Sequence, residues 1–186
     1  MNRRELIGSG TVAGLVGARM TAAAAQGAHS HGLPPGAKVP GVEFLYECVV
    51  TLAPTLEFGH TIEGTRRVIP ITGGTFEGPR VRGTVLAGGA DWNLTRSDGA
   101  GSVDASYYLR THDEVLIRIT NAGVGGGRPA SAPDPDAPER FFMFTSPRFE
   151  APIGSYDWLN HGTYIGTLGA RKGVANAVLI RVFQVV

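Results

Sequence analysis

Residues 43–50 read Glu43-Phe44-Leu45-Tyr46-Glu47-Cys48-Val49-Val50. The period is two: Phe44, Tyr46, Cys48 and Val50 fall on one face, and Glu43 and Glu47 on the other. Successive side chains of an extended chain point to opposite faces, so the pattern predicts a β-strand with one side in a core. Similar runs recur downstream. Val68–Ile71 is short and apolar, and Val81–Leu86 alternates Val81, Gly83 and Val85 with Arg82, Thr84 and Leu86. Val103–Thr111, Val115–Thr120, Phe141–Thr145 and Val178–Val186 complete the set. Turn signals stand between them at Gly73-Gly74, Gly88-Gly89, Asp98-Gly99, Asn121-Ala122-Gly123 and Gly125-Gly126-Gly127.

No window sustains an apolar repeat at three and four residues over three turns, so helix is minor. Many short strands with glycine turns predict an all-β fold, a single antiparallel β-barrel over residues 42–186. Closure is preferred to an open sandwich because it removes exposed strand edges, and a small barrel encloses a natural ligand pocket. Residues 125–139 form one long loop of low hydrophobicity, read equally well as a lid or as an insertion.

The chain has 186 residues, of which 42% are hydrophobic and 18% charged, which suits one globular domain with an appendage. The net charge of +1 supplies no clustered basic face, which speaks against a nucleic-acid partner. The lone cysteine, Cys48, excludes an internal disulfide, and its apolar neighbours mark it as a buried, inert thiol. At the N-terminus, Arg3-Arg4 precedes an uncharged stretch from Leu6 to Ala18, and Ala22–Ala25 follows. A basic head, an apolar middle and a small-residue site are the layout of an export signal, here of twin-arginine type, over residues 1–25. Arg19 ends the apolar stretch too early for a membrane-spanning helix, so no membrane attachment is expected after cleavage. Residues 26–41 then form a flexible tail, and the destination is the periplasm or the medium.

Four segments carry candidate chemistry. Gly73-Gly74-Thr75-Phe76-Glu77-Gly78-Pro79-Arg80 lacks the Gly-Lys-Ser/Thr of a phosphate loop. It is instead a tight crossing of strands that presents Glu77 and Arg80 near a barrel mouth. In Gly88-Gly89-Ala90-Asp91-Trp92 the carboxylate either caps backbone amides or lies against the indole. The second arrangement would raise its pKa and fit it for general acid–base work. Tyr108, Arg110 and His112 share one face of a strand, which lines the barrel or faces solvent. Tyr156-Asp157-Trp158-Leu159-Asn160-His161 gathers an aromatic ring, an amide and an imidazole in one short segment. Metal spacing, a Gly-x-Ser-x-Gly elbow and a dinucleotide fingerprint are all missing, so neither metal nor cofactor is expected.

These motifs carry a resemblance. The order Ile69-Pro70-Ile71-Thr72-Gly73-Gly74-Thr75-Phe76-Glu77-Gly78-Pro79, Gly88-Gly89-Ala90-Asp91-Trp92, Asp98-Gly99, Leu109-Arg110-Thr111, Phe141-Phe142, Pro147-Arg148-Phe149-Glu150 and Tyr156-x-Trp158-Leu159-Asn160 is similar to uncharacterised-protein family 0311, also catalogued as domain of unknown function 3237. The resemblance spans about Val42 to Val186. It implies a calycin-like antiparallel β-barrel with a pocket at one end. Some fungal relatives resemble natural-product cyclases that add a phenol oxygen across a double bond without cofactor. Carried over, the matching polar residues become site candidates: Glu77, Arg80, Asp91, Trp92, Arg110, Trp158 and Asn160. The family usually continues Thr-x-Asp-Gly where this chain has Thr111-His112-Asp113-Glu114.

The expectation is therefore a cofactor-free lyase or isomerase for small aromatic or polyketide-like molecules. Asp91 would move a proton, and Arg110 with Asn160 or His161 would stabilise a phenolate or enolate. Glu77, Arg80, Tyr108, Trp92 and Trp158 would hold the substrate. The alternatives are a periplasmic binding protein using the same pocket, and an oligomer-forming module anchored by Trp92 and Trp158.

Overall fold

The computed structural model describes residues 34–125, 139–171 and 173–186. The expected export signal, residues 26–33 of the expected tail and residues 126–138 of the long loop lie outside them. In chain order the strands are β1 (Val42–Leu52), β2 (Leu56–Thr61), β3 (Gly64–Glu77), β4 (Gly83–Val85), β5 (Ala90–Arg96), β6 (Gly101–Thr111), β7 (Leu116–Gly125), β8 (Glu139–Glu150), β9 (Tyr164–Arg171) and β10 (Ala177–Val185). Among the described residues the only helical element is a 3-10 turn, Asp157–His161.

All strand pairings are antiparallel. They run β1-β10-β9-β8-β7-β6-β4-β3, and β1 also pairs with β3, so the sheet closes into a barrel. One of its eight wall positions is shared. Along β3, β4 covers the C-terminal half (Gly74 opposite Val85) and β5 the N-terminal half (Val68 opposite Trp92). On the other side of β3, β1 and β2 divide the strand in the same way. β3 has 14 residues, too long for any one neighbour, and broken partners on both flanks accommodate it.

The glycine pairs behave in two ways. Gly88-Gly89 and Asp98-Gly99 do connect strands, β4 to β5 and β5 to β6. Gly73-Gly74, expected as a turn, lies inside β3 instead. Gly74 has φ of +144°, and a Cβ there would collide with the Val49 carbonyl, so only glycine permits this close crossing of β1. Asn121-Ala122-Gly123, also expected as a turn, runs through β7. Strands β2, β5 and β9 were not anticipated. β2 is largely exposed, and β9 carries Gly166 and Gly169 where apolar side chains would have signalled a strand.

The barrel interior has two halves. One is packed solid by aromatic edges: Tyr46 on Phe76 (ring centroids 5.5 Å apart), Tyr46 on Phe149 (6.2 Å) and Phe149 on Tyr164 (4.8 Å). Leu159 of the 3-10 turn is buried against this end. The turn is tied down by Asn160, whose amide donates to the Ala151 carbonyl (2.9 Å) and accepts from the Ala151 N–H (2.8 Å). Nearby, Asp113 accepts hydrogen bonds from the Thr111 hydroxyl (2.6 Å) and the Tyr156 hydroxyl (2.8 Å), which hold its pKa below the usual carboxylate range. The other half of the barrel is not filled.

Candidate active site

The unfilled half is a cavity of about 250 Å³ to which every position of the barrel wall contributes. Its apolar lining includes Val50 of β1, Ile71 of β3, Val103 of β6, Met143 of β8, Leu168 of β9 and Ile180 of β10. The polar side chains on it are few: Asp91 and Asn93 from β5, Tyr107 from β6 and Asn121 from β7.

The strand register explains their arrangement. Asp91 lies opposite Ala105, and Ala105 lies opposite Asn121, so the three form one row across β5, β6 and β7. All three line the cavity. With neighbouring strands about 4.8 Å apart, the backbones bearing the carboxyl and the amide stand roughly 10 Å apart. Ala105 leaves the space between them open.

Asp91 is held at a local opening of the sheet. β5 and β6 pair at Asp91–Ala105 and again at Leu94–Ser102, with no pairing at Trp92 and Asn93 between. Into this gap Asp91 turns one oxygen, which accepts the freed Asp104 N–H at 2.8 Å. The other accepts from the Asn93 amide at 3.3 Å. Asn93 in turn accepts from the Arg67 guanidinium at 2.8 Å, so a chain Arg67–Asn93–Asp91 runs along the wall. Burial raises the Asp91 pKa above the ordinary carboxylate value. The two hydrogen bonds and the Arg67 charge oppose that shift without cancelling it.

Two of the residues lining the cavity each carry an enclosed polar atom with no partner among the described residues: the Tyr107 hydroxyl and the Asn121 side-chain carbonyl. Both residues are almost completely buried, at 1% and 2% exposure. Burial also pushes the Tyr107 phenol well above its ordinary pKa, so it stays protonated.

Of the residues singled out from the sequence, Asp91 alone lines this cavity. The face Tyr108-Arg110-His112 looks outward, while Tyr107, Leu109 and Thr111 point into the barrel. The strand thus buries its more apolar side. Arg110 lies five residues beyond Ala105 on β6, roughly 17 Å at the usual strand rise, and it pairs with Glu114 at 3.7 Å. Tyr108 lies on an outer groove with Leu116, Arg118 and Glu150. Trp92 faces out between the inward Asp91 and Asn93 and is 42% exposed. Glu77 is exposed at the packed end, opposite Glu47. Arg80, Trp158, Asn160 and His161 also belong to that end. The Arg80 guanidinium lies 3.7 Å from the centre of the Trp158 ring, a cation–π cover for the plug. Asn160 is occupied with Ala151, and His161 is exposed at the end of the 3-10 turn. The barrel therefore does not bring Asp91 together with Arg110 or His161. Among the described residues, no three His, Cys, Asp or Glu side chains gather in a way that would hold a metal ion.

A family model described as "Protein of unknown function (DUF3237)" matches residues 40–185. The chain belongs to this family. A DUF3237-like relative, a UPF0311 protein of Rhodopseudomonas palustris, is 32% identical over 153 residues, covering 78% of this chain and 98% of its own. A "beta-barrel like protein" from Acinetobacter baumannii superposes with a TM-score of 0.70 at 32% identity, covering 82% of this chain and all of that one. A hydroalkoxylation enzyme of Penicillium herquei is 27% identical over 128 residues, 69% of this chain and 74% of that protein. An enzyme from Penicillium herquei of known structure has a TM-score of 0.62 at 25% identity, covering 83% of this chain and all of that one. The family is thus a β-barrel family with a distant homologue named as a hydroalkoxylation enzyme. The polar cavity residues Asn93, Tyr107 and Asn121, and Arg67 which donates to Asn93, were not singled out from the sequence.

Proposed function

We propose that the protein is a lyase or isomerase acting by general acid–base chemistry inside the barrel. It adds a hydroxyl across a carbon–carbon double bond of an aromatic or polyketide-like small molecule. The observation that carries this is Asp91, a carboxyl with a raised pKa fixed on the wall of an otherwise apolar cavity. The likeness to a hydroalkoxylation enzyme supports the reaction class.

The step balances without an oxidant. A carbon–oxygen and a carbon–hydrogen bond form while the hydroxyl O–H and the π bond break. Protonated Asp91 gives its proton to the alkene carbon. The carboxylate left behind receives the proton of the attacking hydroxyl, which restores the acid. Apolar walls keep water from competing with that hydroxyl, and the Asn93–Arg67 chain holds the carboxyl in one orientation.

The predominance of apolar side chains on the wall favours a second reading, a carrier that binds such molecules unchanged. One experiment separates the two. Mature protein is incubated with ortho-allyl and ortho-prenyl phenols, and cyclic ether is measured. The wild type is expected to form it. Asp91→Asn is expected to lose about 100-fold or more in rate while still binding, the scale of a lost proton donor. Binding without turnover by the wild type would establish the carrier, and undiminished turnover by Asp91→Asn would remove Asp91 from the chemistry.

A further inference from the structure

We infer that Asn121 is a ligand subsite: it seats a hydroxyl group of an aromatic ligand over Ala105, between the amide and Asp91. The inference rests on the cavity being the ligand site, and it adds which group of the ligand is read and by which residue.

Three observations carry it. Asn121 is 2% exposed, yet its side-chain carbonyl has no partner among the described residues. An unsatisfied buried acceptor is destabilising, and a donor that is not part of the barrel wall would relieve it. Second, the side chain lines the cavity, in the same inward row as Asp91. Third, the residue between them is Ala105, so the wall leaves room where a ligand atom would meet the amide.

The chemistry of the amide selects the ligand group. A side-chain carbonyl needs a donor, which excludes an ether, a ketone or a bare ring. If the amide turns over, its NH₂ needs an acceptor. A hydroxyl satisfies either orientation because it both donates and accepts. The surrounding wall of Val103, Ile69, Met143 and Leu168 suits the flat apolar body that carries the hydroxyl. The Tyr107 side chain, one diagonal step away on β6, adds its ring to the same wall.

The test uses two probes, 2-naphthol and naphthalene, titrated against the mature protein by calorimetry. The readout is the ratio of their dissociation constants, compared between variants so that the difference in hydration of the probes cancels. The wild type is expected to prefer 2-naphthol. Asn121→Leu is expected to reduce that preference about 5- to 10-fold, the effect of one hydrogen bond. Asn121→Val, which likewise has no hydrogen-bonding group, is read in the same way should the leucine variant fail to fold. Arg110→Ala, on the outer face of β6 and away from the cavity, is expected to keep the preference. An unchanged ratio in the Asn121 variants would overturn the subsite. If the ratio collapses in Asp91→Asn alone, the hydroxyl sits on the carboxyl, and the acid–base proposal survives without this one. If neither probe binds the wild type, the cavity is not the ligand site and both proposals fall.

Discussion

At the scale of single residues, the protein is defined by a few polar groups placed where burial makes them costly. Asp91 is the clearest case. Its pKa is raised because the cavity wall desolvates the carboxylate. A carboxyl with a folded pKa above its unfolded value favours the protonated native state. Stability from this group is therefore greatest at low pH and falls as pH rises through the folded pKa. Asp91→Asn removes that loss. Its melting temperature is expected to equal or exceed the wild type's at pH 7. The difference should vanish below about pH 4, the ordinary carboxylate range. A variant less stable than wild type at pH 7 and equal at low pH would mean that the Asp104 and Asn93 hydrogen bonds outweigh desolvation. Asp91 was legible in the sequence because an acid beside glycines and a tryptophan is unusual. Asn121 was not, because Asn-x-Gly is also a turn signal and nothing local says that a strand continues through it. Only the register with Ala105 gives that residue a role. Cys48 was legible throughout: burial pushes its thiol up to about 12, as an inert core cysteine requires.

At the scale of elements, alternation was a sound guide where a strand has one apolar face, as in β1 and β6. It failed where glycine replaces a side chain for steric reasons. Gly74 in β3 looks like a chain reversal, but its small size is used for close approach to Val49. The segment 156–161 also misled. Its polar residues suggested a ligand site, whereas the structure uses them to fasten a plug. Asn160→Ala removes two hydrogen bonds to Ala151 and is expected to cost about 1–3 kcal/mol of stability, measured by urea unfolding. Binding of 2-naphthol by the folded variant should be unchanged. A weakened ligand affinity with unaltered stability would return Asn160 to the site. The turn at Glu114 shows a related economy. Its φ is +66°, a conformation that suits glycine, and the resemblance places glycine there.

At the scale of the molecule, the closed sheet divides labour between its ends. Aromatic packing, the Arg80–Trp158 stack and the Asn160 clamp make one end solid. The other end keeps a cavity lined by one raised carboxyl and by two residues with a polar atom that has no partner among the described residues. The barrel and its family were legible from period and motif order. The location of the site was not, because motifs close in sequence lie at opposite ends of antiparallel strands. The most direct test of this division is a methyl-resolved NMR titration of the protein with 2-naphthol. Saturable shifts are expected at Ile71, Val103, Met143 and Leu168, with Ile117, Leu159 and Val182 unmoved. Shifts confined to Ile117, Leu159 and Val182 would place the ligand at the packed end and contradict the account.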